Sequence, residues 1–113
     1  MILKTDLNEI LNNFSLEMKY IFREKLNNVI LFGSYASGTQ DEESDIDIMV
    51  LVDIEKTEIV NYRDQVISIA CDFGFKYDIL FSPIIQSVNE FEIYKNASGF
   101  FKNIEEKGVK LIA

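Results

Sequence analysis

Residues 29–52 read VILFGSYASGTQDEESDIDIMVLV, with two apolar runs on either side of a polar segment. The first run, Val29–Phe32, stops at Gly33 and has the length and the β-branching of a buried strand. The second run, Asp45–Val52, is continuously apolar after its two aspartates, which is typical of a strand covered on both faces. These two strands predict that a sheet forms the centre of the protein.

Helical patterns flank the two strands. Seven apolar residues between Leu7 and Phe22 recur at helical spacing and predict an N-terminal helix that ends at Asn27-Asn28. A second stripe predicts a helix from about residue 55 to residue 73, ended by Gly74. The rest of the pattern predicts a strand at Lys76–Phe81, a short helix opened by Ser87 and Glu90, a helix at Ser98–Lys107 and a strand at Val109–Ile112. The predicted fold is α/β (α+β), a small mixed central sheet flanked by helices in a single domain over residues 1–113.

The composition excludes several classes of function. With 113 residues, 48% of them hydrophobic, the chain can bury one hydrophobic core that needs no disulfide bonds or metal ions to stabilise it. Its formal net charge of −8 disfavours broad binding to nucleic acid. The lack of histidine excludes Ser–His and Cys–His nucleophiles and the usual zinc sites. The lone Cys71, the short apolar runs and the absence of a signal-peptide layout together predict a soluble cytoplasmic protein.

Gly33 and Ser34 directly follow the first predicted strand. Glycine lets the backbone come close to a bulky ligand. A helix that starts at Ser34 would direct free N–H groups toward an anion such as a phosphate. An ordinary strand-to-helix turn with a serine cap explains the same pair, so by itself it is only a weak indication of a phosphate site.

Asp45 and Asp47 stand at the start of the second predicted strand. Residues two apart on a strand point to the same face, with Cα atoms about 6.5–7 Å apart. Both carboxylates can therefore share divalent cations, and Mg²⁺ commonly binds one or two carboxylates plus substrate phosphates. A solvated strand entrance is the alternative, but charges beside a core are costly unless they are paired or bound to metal.

Asp78 lies inside the third predicted strand, where an acid is unusual. An ion pair with Lys76 on the same strand face is one explanation. If instead this strand lies beside the one that begins at Asp45, three carboxylates meet at one point and repel one another. Two Mg²⁺ ions about 3.5–4 Å apart would relieve that repulsion and form a phosphoryl-transfer site.

These residues resemble the motif of the DNA-polymerase-β-like nucleotidyltransferases, and most closely that of the minimal nucleotidyltransferases. The similar elements are Gly33-Ser34, ten intervening residues, Asp45-Ile46-Asp47, and Asp78 about thirty residues later. The stretch Ser98–Val109 is also similar, so the resemblance covers nearly the whole chain. Ser37 departs from the pattern, because many relatives carry arginine there, and the missing cation would weaken contacts with phosphate or change what is bound.

The resemblance implies ATP as the donor and two Mg²⁺ ions as cofactors. Asp45 and Asp47 would bind both ions, Asp78 would bind the ion that activates the nucleophile and accept its proton, and Gly33 and Ser34 would hold the leaving phosphates. The catalytic core uses almost all of the 113 residues. We therefore expect the acceptor site to lie on a partner chain or across a homo- or hetero-oligomer.

Minimal nucleotidyltransferases of this size are typically encoded beside a HEPN-domain ribonuclease toxin. The resemblance thus implies an antitoxin that transfers AMP to a tyrosine of the toxin. Two alternatives remain open. The chain could mask its partner as a binding module without catalysis, or it could modify a small molecule, as antibiotic nucleotidyltransferases do.

Overall fold

A four-stranded mixed sheet lies at the centre of the computed structural model, which describes the backbone of residues 4–112 and the side chains of residues 6–112. Its strands are β1 (Leu26–Phe32), β2 (Ile46–Val52), β3 (Phe81–Ser87) and β4 (Val109–Lys110), in the spatial order β3-β2-β1-β4. β1 pairs antiparallel with β2 and β4, whereas β2 pairs parallel with β3. The predicted α/β (α+β) class with a mixed sheet is confirmed.

Five α-helices accompany the sheet within the described residues. They are α1 (Lys4–Phe22), α2 (Ser34–Ser37), α3 (Lys56–Tyr77), α4 (Val88–Tyr94) and α5 (Gly99–Lys107). The predicted starts of the last two are confirmed, because the Ser87 hydroxyl accepts the N–H of Glu90 and the Ser98 hydroxyl accepts that of Phe101. No helix in this part of the chain is both long enough and apolar enough to cross a membrane.

The N-terminal helix is shorter than predicted. It ends at Phe22, and a 3₁₀ turn at Arg23–Lys25 leads into β1, so the predicted end at Asn27-Asn28 is wrong. Asn28 lies in the strand instead, where its side-chain amide donates to the Ile112 carbonyl and its side-chain oxygen accepts the Ile112 N–H. The asparagine thus holds the chain after β4 against β1 rather than stopping a helix.

β2 is covered on both faces, as predicted. Every residue of this strand except Asp47 is buried. One face contributes to the larger core with α1 and α3, and the other packs toward α4 and α5. The residues on the first face are Ile46, Ile48, Val50 and Val52, and those on the second are Met49 and Leu51. Because side chains alternate along a strand, Asp47 belongs to the second face.

The end of α3 differs from the prediction. Gly74 lies inside the helix, which continues to Tyr77, and the strand predicted at Lys76–Phe81 is wrong because β3 begins only at Phe81. A glycine does not end a helix whose apolar stripe still meets the core, and here Phe73 and Tyr77 continue that stripe. Pro83 is accommodated in β3 because β3 is an edge strand, where a missing N–H is tolerated.

Candidate active site

Gly33 forms a sharp turn between β1 and α2. Its backbone has φ 75° and ψ −155°, a region that is essentially restricted to glycine. Its carbonyl accepts the N–H groups of Ala36 and Ser37 at 3.1 and 3.2 Å. A Cβ atom at Gly33 would collide with Oδ2 of Asp47 and would lie 3.3 Å from its Cγ. The predicted turn at Gly33-Ser34 is therefore confirmed, and its backbone lies directly against a carboxylate of the predicted metal site.

Substitution of Gly33 by alanine is expected to lower the free energy of unfolding by about 1–3 kcal/mol, because alanine is strained at these dihedral angles and its Cβ would displace Asp47. Gly38→Ala is the matched control. Gly38 also has a positive φ of 77°, but a Cβ there meets no atom within 4 Å. Denaturant unfolding measures both effects. Equal losses in the two variants would contradict a specific contact between Gly33 and Asp47.

Asp45 and Asp47 are held at the end of the sheet that adjoins this turn. Asp45 immediately precedes β2, and Asp47 is the second residue of the strand. Asp47 pairs with Phe32 of β1 on one side and with Ser82 of β3 on the other. Both aspartates are half-buried. The structure thus brings together Gly33, Asp45 and Asp47, as the sequence predicted.

The electrostatics of this end of the sheet favour a bound cation. Burial, followed by repulsion from Asp45, raises the pKa of the Asp47 carboxyl. The pKa of the buried Tyr35 hydroxyl is raised by burial and then by the charges of Asp41 and Asp45. Uncompensated negative charge therefore accumulates around Asp45, and a divalent cation would relieve it.

Asp78 is not in a strand, contrary to the prediction. It follows α3 in the left-handed conformation, with φ 54° and ψ 47°, and its N–H donates to the Gly74 carbonyl. Aspartate tolerates this conformation better than most residues. Since the strand begins three residues later, the parallel pairing of β2 with β3 places Ser82, not Asp78, beside Asp47.

A cavity of about 550 Å³ nevertheless has both Asp45 and Asp78 in its wall. Tyr35, Tyr77 and Leu80 also line it, together with the exposed loop acids Glu42 and Glu43. Asp78 is solvent-exposed at the rim that α3 contributes. The two acids therefore border a common space at the same end of the parallel strand pair, where β2 and β3 both begin.

The residues present suit Mg²⁺ when a nucleotide contributes the remaining ligands. Within the described side chains, no three acidic, cysteine or histidine groups lie close enough together to hold a metal ion. Proteins usually contribute one or two carboxylates to a Mg²⁺ site, and substrate phosphates and water complete the coordination shell. Asp45 and Asp47 alone match that contribution.

The structure also reveals residues near the turn that sequence reasoning missed. The interval from Lys102 to Lys110 has the mixed charge of a solvated helix face. In the fold, however, Asn103 and Lys107 share the wall of a cavity with Gly33 and Ser37. The signal available in the sequence was the spacing of four residues between Asn103 and Lys107, which puts both on one face of a helix. It could not show which element that face meets.

Comparison with known proteins points to nucleotide chemistry. A sequence model described as "Nucleotidyltransferase domain" matches residues 11–111. The protein named "Putative protein adenylyltransferase MJ0141" from Methanocaldococcus jannaschii is 39% identical, and the match covers 91% of this chain and 96% of that protein. "Putative protein adenylyltransferase MJ0604" from the same organism is 35% identical over 80% of this chain and 83% of its own length.

Solved structures share the fold. A crystal structure of a toxin-antitoxin with AMP-PNP superposes with a TM-score of 0.54 at 24% identity, covering 90% of this chain and 73% of that one. A mutant of the toxin-antitoxin MntA-HpeT gives the same TM-score of 0.54 and the same coverage, at 22% identity. The family sequence model covers most of the chain, and the relatives match over most of their own length. The chain therefore belongs to the nucleotidyltransferase domain family and is a nucleotidyltransferase.

Proposed function

We propose that this nucleotidyltransferase uses Mg-ATP to transfer AMP to a tyrosine of a partner HEPN-type ribonuclease toxin and so acts as its antitoxin in the cytoplasm. Its relatives are named as protein adenylyltransferases, and its structural neighbours are toxin-antitoxin proteins, one of them with AMP-PNP. The observation that carries the proposal is the close packing of Gly33 against the Asp47 carboxylate, which leaves no room for a Cβ atom, because it brings the predicted phosphate turn next to a predicted metal ligand.

We assign roles to five residues on this basis. Gly33 and Ser34 would receive the leaving phosphates. Asp45 and Asp47 would hold two Mg²⁺ ions, and Asp78 would join them only when the nucleotide is bound, because the three carboxylates do not lie close enough together to hold a metal ion by themselves. The position of Asp78 in the wall of the cavity that Asp45 also lines supports its inclusion. Bound Mg²⁺ would neutralise charge on the phosphoryl oxygens.

The transfer is a single displacement at phosphorus. The oxygen of the acceptor tyrosine forms a bond to the α-phosphorus while the bond to the pyrophosphate oxygen breaks. The hydroxyl proton passes to the carboxylate of Asp78, since the chain has no histidine that could accept it. Pyrophosphate leaves along the Gly33-Ser34 turn. The residues of the chain contribute mainly by positioning the reactants and by stabilising charge.

Labelled ATP tests the proposal directly. The chain is incubated with a HEPN-type toxin, the proposed partner, and with ATP labelled at either the α- or the γ-phosphate. We expect the α-label to appear on a tyrosine of the partner, the γ-label to appear in pyrophosphate, and neither transfer to occur without Mg²⁺. Label from the γ-phosphate on the protein, or α-label on an added aminoglycoside but not on the partner, would contradict adenylylation of a toxin.

Masking of the partner without catalysis is the second candidate. It is favoured because, within residues 6–112, no third acidic group joins Asp45 and Asp47 closely enough to share a metal ion. The net charge of −8 would also complement a basic RNA-binding face. Under this alternative, the partner would be silenced without Mg-ATP and without any covalent label.

A further inference from the structure

We infer that Lys107, assisted by Asn103, binds the β- and γ-phosphates of the donor nucleotide. The two residues would thereby supply the positive charge and the hydrogen-bond donors that Ser37 does not provide. The inference rests on the proposed function and deepens it, because it names the group that makes the site prefer a nucleoside triphosphate to a monophosphate.

The geometric basis is a cavity of about 250 Å³ between α5 and the turn after β1. Gly33 and Ser37 line it on the side of the turn, and Asn103 and Lys107 line it on the side of the helix. Gly33 also touches the Asp47 carboxylate. The cavity therefore lies directly beside the predicted phosphate turn. Asp47, the predicted metal ligand, lies on the other side of Gly33.

The helix wall of this cavity is held firmly in place. The ring of Phe100 meets that of Phe32 edge-to-face at 5.5 Å, and Ile104 is buried in the core beneath α5. At the other end of the helix, a Cβ atom on Gly108 would lie only 2.6 Å from Cγ2 of Ile30. Such close approach requires glycine. Lys107 is thus presented to the turn from a helix with little freedom to shift.

Charge is the second argument. ATP brings several negative charges to an end of the sheet that already carries Asp45, Asp47 and a loop of acids. Two larger cavities, of about 550 and 540 Å³, border Asp45 or the turn, and neither has a lysine or arginine in its wall. The end of α5 beside the turn is its C-terminal end, whose dipole is negative. Among the side chains that line these three cavities, only that of Lys107 carries a positive charge that can attract phosphate.

Lys107 is available for this role. It is exposed, and none of the ion pairs found among the described side chains includes it. A lysine in the last turn of a helix also stabilises the helix itself. A readout that depends on the length of the phosphate chain separates these two roles.

Calorimetric titration with Mg-ATP and with AMP supplies that readout. Lys107→Gln is expected to weaken the binding of ATP about tenfold and to leave that of AMP unchanged, because AMP lacks the two terminal phosphates. Lys107→Arg should retain the affinity for ATP. Adding Ser37→Arg to the Lys107→Gln variant should restore the affinity for ATP. Asn103→Asp, which introduces a negative charge into the cavity, should also weaken binding of ATP selectively.

Lys102→Gln is the matched control, because Lys102 makes the same charge change on α5 but does not line the cavity. Equal affinities for ATP in Lys102→Gln and Lys107→Gln would overturn the inference and leave the proposed function intact. A parallel loss of ATP and AMP binding in Lys107→Gln would also overturn it. Wild-type protein that binds no Mg-ATP would overturn both the inference and the proposed function.

Discussion

Replacing both Asp45 and Asp47 with asparagine is expected to slow AMP transfer at least about a thousandfold. Metal-assisted charge stabilisation contributes several kcal/mol to phosphoryl transfer, and each 1.36 kcal/mol corresponds to a factor of ten in rate. Asparagine keeps the shape of the side chain but removes the charge that attracts Mg²⁺. The rate of transfer from α-labelled ATP at saturating Mg²⁺ measures the effect.

Glu42→Gln and Glu43→Gln are the matched controls for the double variant. Both glutamates line the cavity next to Asp45 but lie on an exposed loop. Their replacement is expected to change the rate by no more than a few-fold, because an exposed acid does not hold a metal ion by itself. A double variant that transfers AMP at the wild-type rate would refute the metal site. One that loses transfer but still protects cells from the partner would favour masking.

Loss of the fold is not expected to explain the effect of these variants, and pH provides the check. Because the pKa of Asp47 is raised in the folded state, its stabilising contribution is present below the unfolded value of about 3.9 and is lost as the pH rises through the folded value. Asp47→Asn should therefore melt at a higher temperature than the wild type at pH 7 without Mg²⁺. The difference should shrink toward pH 4. A variant that melts lower at pH 7 would contradict the cost of keeping a charged Asp47 partly buried and beside Asp45.

Phe14→Ala is expected to cost about 3–5 kcal/mol of stability, a large share of the 5–15 kcal/mol typical of a native domain. Phe14 is fully buried, and its ring lies 5.5 Å from those of Phe73 and Phe81. Removing it leaves a cavity under the end of α3 and the start of β3. The melting temperature should fall by at least about 12 °C, given roughly 4 °C or more per kcal/mol for a domain of this size.

Phe75→Ala is the matched control for Phe14→Ala, since it makes the same chemical change on the exposed face of α3. The Phe75 side chain is 92% exposed, so its removal should change the melting temperature by only a degree or two. Because Phe73 and Phe81 flank the turn that carries Asp78, Phe14→Ala should also reduce AMP transfer near its melting temperature. Similar losses of stability in both variants would show that Phe14 does not anchor this turn.

The residues around the turn and β2 were predictable because their signals are local. The apolar run after Asp45 needs cover on both faces, and Gly33 stops the preceding strand, so strand, turn and strand follow from neighbouring residues. Strand alternation then placed Asp47 on the face opposite Ile46 and Ile48 without any knowledge of the rest of the fold.

The region around Asp78 was not predictable in the same way. Gly74 is a helix terminator in many sequences, but here Phe73 and Tyr77 contact the core and carry the helix past it. Pro83 argues against a strand unless the strand lies at the edge of a sheet, and only the assembled sheet shows that it does. The sequence pattern therefore predicts the third strand five residues too early, and it wrongly includes Asp78 in that strand.

By itself, the amino-acid sequence determined the class of the fold, the turn at Gly33 and the acidic pair at Asp45 and Asp47, because each depends on spacing within one short segment. Only the tertiary structure decided that Asp78 faces Asp45 across a cavity and that Lys107 faces Gly33 from α5. Those two relations join segments about thirty and seventy residues apart. They are set by the packing of whole helices on the sheet, which no local pattern encodes.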